Sequence, residues 1–138
     1  MQDPRPVWQF RLGPRTLALV ALGGAGGTTV RYLITAAVPP TGFPLATFVI
    51  NVVGAFTLGV LLEVLSRHAS PRAAGLRLLL GTGLLGGFTT YSSLAVDTAS
   101  LTGMGAAGTA ALYSLGTLVL GVASAALGIA AARSRRSR

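Results

Sequence analysis

The sequence predicts an all-α membrane protein of four transmembrane helices, the third of them broken near the bilayer midplane. Hydrophobic residues make up 51% of the chain, charged residues only 10%, and the mean hydropathy is +0.68, a balance too apolar for a soluble domain of this size. Four apolar stretches reach the ~20 residues that a bilayer crossing needs: residues 17–38, 45–65, 76–96 and 105–132. The third is interrupted by Gly86-Gly87-Phe88-Thr89-Thr90-Tyr91-Ser92-Ser93, two glycines and five hydroxyls where a lipid-facing helix has no use for them. Irregular backbone at that depth survives only when it is buried in protein or lines a wet cavity.

A basic tail, residues 1–16, precedes the first span, and its three prolines and interfacial Trp8 and Phe10 predict little regular structure. A basic start before an apolar run can imitate a secretory signal, but the run continues past a short signal core, so the first helix is expected to be retained. In that helix Gly23, Gly24, Gly26 and Gly27 are spaced for close helix contact. Arg31 follows, about 12 Å before Pro39 at 1.5 Å per residue, either a functional ionisable group or an arginine serving the outer interface.

Pro39-Pro40-Thr41-Gly42 makes a tight turn. The second span carries Thr47 and Asn51 four residues apart, hence on one face. Asn51 is the only amide in any span. Its side chain suits either replacement of an ion's hydration or a hydrogen bond to a neighbouring helix. Glu63 stands four residues before Arg67, the favourable ion-pair order at a helix end, and is read as a surface pair; His68 has no metal-ligand companion. The fourth span shows Tyr113, Thr117 and Gly121 at four-residue spacing, a narrow polar stripe, before the basic tail 133–138.

All eleven basic residues are arginines. Ten of them, Arg5, Arg11, Arg15, Arg67, Arg72, Arg77, Arg133, Arg135, Arg136 and Arg138, fall on one face of a four-span protein, and the opposite connections carry none. The positive-inside rule then puts both termini in the cytoplasm. The same distribution argues against nucleic acid as partner, and a polybasic tail can meet anionic membrane lipid instead. There is no cysteine, no Ser/His/Asp set, no paired carboxylates within a span and no phosphate loop, so the chain is not read as an enzyme. What remains is an inventory of hydroxyls, one amide, a broken helix and aromatic edges. It suits a small anion that must be bound without being held tightly.

Gly23-Gly24 through Arg31-Tyr32, Pro44 to Thr47 leading to Asn51 and Gly54, then Gly86-Gly87-Phe88-Thr89-Thr90 and Tyr113 together resemble the Fluc/CrcB family of fluoride channels. The resemblance implies an antiparallel dimer with two fluoride pathways and a central structural sodium ion on the backbone carbonyls of Gly86 and Thr89. It makes Asn51 the pore amide and Thr47 a pore-side hydroxyl, and it places Tyr91, Ser92, Ser93, Tyr113 and Thr117 along the pathway. Arg31 takes a structural or vestibule place. The family pattern Phe-Ser-x-Phe after the threonines is replaced by Tyr91-Ser92-Ser93-Leu94, so the second aromatic is absent. The implied activity is passive fluoride export through a bacterial inner membrane. Competing readings are a proton-coupled small multidrug exporter and a non-conducting subunit of a heterodimeric channel. An antiparallel homodimer needs its basic residues nearly balanced across the membrane, so the one-sided arginines favour a heterodimer with an oppositely oriented paralogue over a homodimer.

Overall fold

Each helix starts and stops at a local signal. In the computed structural model, which describes residues 13–39, 41–68 and 70–134, helix α1 (Pro14–Ala37) begins with proline at its first position, where a missing N–H costs nothing, and ends just before Pro39. Thr41 donates to the Phe43 carbonyl at 2.6 Å to shape the turn into α2 (Leu45–Ser66). Ser70 caps the short helix α3 (Pro71–Leu76) by accepting the Ala73 N–H at 3.2 Å. The chain continues without pause through a π-helical segment, Arg77–Leu85, into α4 (Gly86–Phe88). Thr89 and Thr90 are extended, and α5 (Tyr91–Gly103) resumes on the far side. Gly105, with φ +76°, turns the chain into α6 (Ala107–Ser134).

Helices α1, α2 and α6 are each long and apolar enough to cross a membrane. The remaining crossing is the composite running from α3 to α5. The protein is therefore an all-helical, multi-pass membrane protein whose third crossing is broken.

Two close packings organise the bundle. Helix α1 runs parallel to the π-helical segment and α4 with backbone against backbone. A Cβ on Gly23 would run into the Leu79 carbonyl, one on Gly27 into the Leu84 carbonyl, and one on Gly87 into the Gly24 carbonyl. Helix α6 lies against α2 in the same manner, Gly59 facing the Ala125 carbonyl and Gly128 the Phe56 carbonyl. In a bilayer, where lipid is as apolar as leucine, such close approach is what holds helices together. Helix α5 packs on α6 through side chains, with Leu94, Leu101, Ala110 and Tyr113 buried beside the rings of Phe43 and Phe48.

At the arginine-bearing end, Arg67 pairs with Glu63 at 3.3 Å and donates to the Ala132 carbonyl at 2.8 Å, Arg133 reaches the same carboxylate at 3.0 Å, and Arg77 donates to the Leu65 carbonyl. Glu63 thus serves two arginines, not Arg67 alone, and the last carbonyls of α2 and α6 are satisfied by guanidinium groups.

The boundaries differ from the sequence expectation in three places. Pro14, Arg15 and Thr16 belong to α1, not to the tail, because proline at the first position starts the helix early. The third crossing starts at Pro71 and ends at Gly103, so Asp97 is helical and not part of a connection. Helix α6 runs from Ala107 to Ser134. Trp8, Phe10 and the outer tail arginines lie outside the described residues.

Candidate ion pathway at a helix break

The break falls at Thr89–Thr90, two residues after the glycine pair. Gly86 itself is helical, φ −65° and ψ −35°, whereas Thr89 and Thr90 have ψ values of 158° and 122°. Helix strain at glycine does not make the break; an amide 39 residues earlier does. Asn51 Oδ1 accepts the Thr90 N–H at 2.8 Å, and its Nδ2 donates to the Thr90 carbonyl at 3.0 Å. The side chain thus mimics a strand partner for one peptide unit. One Nδ2 hydrogen remains for another acceptor.

At the break the carbonyls of Gly86, Gly87, Phe88 and Thr89 lose their regular helical partners, and two of the freed N–H groups can be followed to new ones. In a continuous helix the Thr90 N–H would meet the Gly86 carbonyl and the Ser93 N–H the Thr89 carbonyl. The first goes to Asn51, and the second goes to Thr90 Oγ1 at 3.1 Å as the cap of α5. Gly86 and Thr89 are therefore left with carbonyl oxygens that no helical amide takes, the donor type that suits a small hard cation.

Thr90 is the hub of the hydroxyl cluster, with Ser92 Oγ and Ser93 Oγ each 3.1 Å from its Oγ1. Thr89 turns its hydroxyl back to the Leu85 carbonyl at 2.9 Å and its methyl toward Gly54, where any added Cβ would meet it. Helix α2 therefore needs glycine at that level to let the break sit beside Asn51. Tyr91 projects away from the bundle, 79% exposed in the single chain. An open groove of about 330 Å³ beside the break is lined by Asn51, Thr89, Thr90, Tyr91, Leu94 and Thr117.

Tyr113 and Thr47 belong to a second region, nearer the Pro39 end. Tyr113 is fully buried, edge-on to Phe43 at 5.5 Å, and its hydroxyl donates to Asp97 Oδ2 at 2.9 Å. Thr47 and Asp97 share a cavity of about 350 Å³ with Thr35, Thr41 and Ser100. Thr117, also buried, bonds back to the Tyr113 carbonyl at 2.6 Å. Arg31 is half-buried on α1, and its side chain has no hydrogen-bond or ion-pair partner among the described residues.

The structure thus brings Asn51, Thr89, Tyr91 and Thr117 to one groove and Thr47 to a separate cavity, to which Tyr113 is joined through Asp97, and it leaves Arg31 at neither. Two residues escaped the sequence reading. Thr90 was legible as a cap, since a threonine shortly before an apolar run is a helix-start signal. Asp97 was legible only by noticing that nothing ends the helix between Val96 and Gly103.

The fold and the break define a multi-pass α-helical protein with a polar discontinuity inside its bundle, the architecture by which membrane proteins handle small ions. The model of the family described as CrcB-like protein, Camphor Resistance (CrcB) matches residues 18–129, and the chain belongs to that family. Among its curated relatives, "Fluoride-specific ion channel FluC 2" of Leifsonia xyli subsp. xyli is 45% identical over 129 residues, covering 91% of this chain and 89% of that protein. "Fluoride-specific ion channel FluC" of Agrobacterium fabrum is 41% identical over 86% of this chain and 96% of that protein, and the protein of the same name from Novosphingobium aromaticivorans is 46% identical over 84% and 94%.

Proposed function

We propose that this chain is the subunit of a fluoride-selective channel that lets fluoride leave the cell passively; it is a channel and not an enzyme. The observation that carries the reading is the Thr89–Thr90 break, held by Asn51 and crowded with hydroxyls, in a chain that spans nearly the full length of relatives named as fluoride-specific channels. Compact neutral donors can replace the hydration of a small anion without trapping it. Export follows the ion's gradient and the inside-negative potential, about 2.3 kcal/mol per charge per 100 mV.

The residues fit the rest of the family picture. The carbonyls of Gly86 and Thr89 would hold a structural sodium ion, whose charge would tie two broken helices together. An antiparallel dimer accounts for two features of the single chain. Gly86 has nothing within 4 Å of a would-be Cβ, and Arg31 stands half-buried in a span with no partner among the described residues, where an ionisable group ordinarily finds one. Ten arginines toward one face support a reading in which both termini are cytoplasmic and the protein lies in a bacterial inner membrane. The partner is a second copy or an oppositely biased paralogue, the latter being favoured by that same asymmetry. The exporter alternative needs a free buried carboxylate early in the chain, and Glu63 is engaged by Arg67 and Arg133.

Purified chain in liposomes, followed with fluoride and chloride electrodes, tests the function: rapid fluoride efflux with no chloride efflux is expected, and equal halide rates overturn the reading. Gly86→Val tests the assembly, because the isolated subunit has room for the side chain. Normal subunit yield with loss of the dimer on size exclusion is expected. Unchanged dimer in the presence of sodium would place the interface elsewhere.

A further inference from the structure

The helix ends of this bundle are closed in different ways. The last carbonyls of α2 and α6 receive guanidinium groups, Arg77 donating to the Leu65 carbonyl and Arg67 to the Ala132 carbonyl. Helix α1 has no basic residue in its last turn, and the Val38 N–H closes it by turning back to the Ile34 carbonyl. The Thr35 carbonyl would look four residues on to Pro39, which has no N–H to give.

That end opens on the cavity of about 350 Å³, which is lined by Thr35 and Val38 of α1, by Thr47 of α2, and by Asp97, Ser100 and Met104 on the third crossing. Met104 is the C-cap of α5, so a second helix ends at the same cavity. Asp97 is half-buried there, with Oδ2 accepting from Tyr113 at 2.9 Å, and no arginine pairs with it among the described residues. The Ser100 hydroxyl, one turn further along α5, has no hydrogen-bond partner among the described residues.

The signs of these groups decide what the cavity attracts. Helix α2 begins here, and its free N–H groups would draw an anion. Two helix C-termini at roughly half a negative charge each, and a full one on Asp97, outweigh that single positive end and leave a balance of about −1.5 elementary charges. A carboxylate at this depth without a paired charge is costly, and the oxygens beside it are those a hard cation takes. At about 30 Å³ per water, the cavity has room for an ion that keeps part of its hydration.

We propose that this cavity binds a partly hydrated monovalent metal cation, held by the Asp97 carboxylate with the Thr35 carbonyl and the Ser100 hydroxyl. The cation does for the end of α1 what arginines do for α2 and α6. The site lies within one chain, apart from the carbonyls at the Thr89–Thr90 break, and does not depend on which ion the protein conducts.

The test titrates sodium into the full chain in detergent and N-methylglucammonium buffer, with sodium nuclear relaxation as the readout. Wild type should show saturable binding, and Asp97→Asn should weaken it at least about ten-fold, as loss of a charged contact does. Tyr113→Phe removes the same hydrogen bond but keeps the carboxylate, and it should bind as wild type does. Pro39→Ala supplies an N–H for the Thr35 carbonyl and should weaken binding less than Asp97→Asn, which keeps the proposal testable should the asparagine variant fold poorly. Stability does not read the site, because an amide escapes the desolvation cost of an unpaired carboxylate. Gly86→Val subunits should retain the Asp97-dependent binding, which separates it from any sodium at the break. Unchanged sodium binding in Asp97→Asn, or equal loss in Asp97→Asn and Tyr113→Phe, would overturn the site. So would fluorine relaxation showing fluoride bound in wild type and lost in Asp97→Asn, which would make the cavity an anion site.

Discussion

The two halves of the broken third crossing are held by opposite means. Before the break, the π-helical segment and α4 lie against α1 with glycines in contact with carbonyls, so that Gly23, Gly27, Gly83 and Gly87 leave no room for a single methyl. After it, α5 touches α6 through leucines, an alanine and Tyr113, and its polar groups find partners through side chains: Asn51 on Thr90, Tyr113 on Asp97. A π-helical run of nine residues, where a single turn is usual, occurs only on the glycine-packed side. Backbone-to-backbone packing fixes position and tolerates no change. The side-chain contacts of the second half can be rearranged one hydrogen bond at a time, which is where a pathway can be tuned.

The first half should therefore break outright. Gly27→Val puts a branched side chain into the Leu84 carbonyl, an overpacking that ordinarily costs roughly 1–3 kcal/mol and here falls on backbone that cannot yield. Monodisperse protein should be lost, whereas Gly26→Ala, with nothing within 4 Å, should be neutral. Equal yields from the two would mean that the α1 contact is not required.

At the junction between halves, Asn51→Leu should leave the Thr90 N–H without its partner, a penalty of about 1–3 kcal/mol for a group kept from water. Fluoride flux should fall to background and the melting temperature should drop. Asn51→Asp keeps an acceptor for that N–H but sets a carboxylate oxygen against the Thr90 carbonyl, so it too should destabilise the break. Wild-type flux from either variant would remove Asn51 from the site.

The mildest effects belong to the second half. Tyr113→Phe deletes one hydrogen bond and should cost about 1 kcal/mol, while Asp97→Asn keeps an oxygen to accept from the phenol and should cost less. Thermal unfolding in detergent reads both. An Asp97→Asn loss larger than that of Tyr113→Phe would show that the carboxylate charge, not the hydrogen bond, is what the cavity needs.

The sequence by itself determined the class. A bilayer crossing is a demand on composition over about 20 residues, so the apolar stretches, the helical class and the one-sided arginines are all readable without contacts. The glycine and hydroxyl block announced a discontinuity for the same reason, since a run of poor helix formers inside an apolar span needs an explanation wherever the chain goes. Where the helix opens was a tertiary decision. Gly86 and Gly87 have the weakest local preference for helix yet remain helical, and the chain opens at Thr89–Thr90 because the Asn51 amide is there to take the freed peptide groups. Asp97 became the partner of Tyr113 only once α5 was seen to continue to Gly103, supported by its packing on α6. Propensity acts over a turn or two of chain, whereas a hydrogen bond between residues 39 apart exists only after the helices have met.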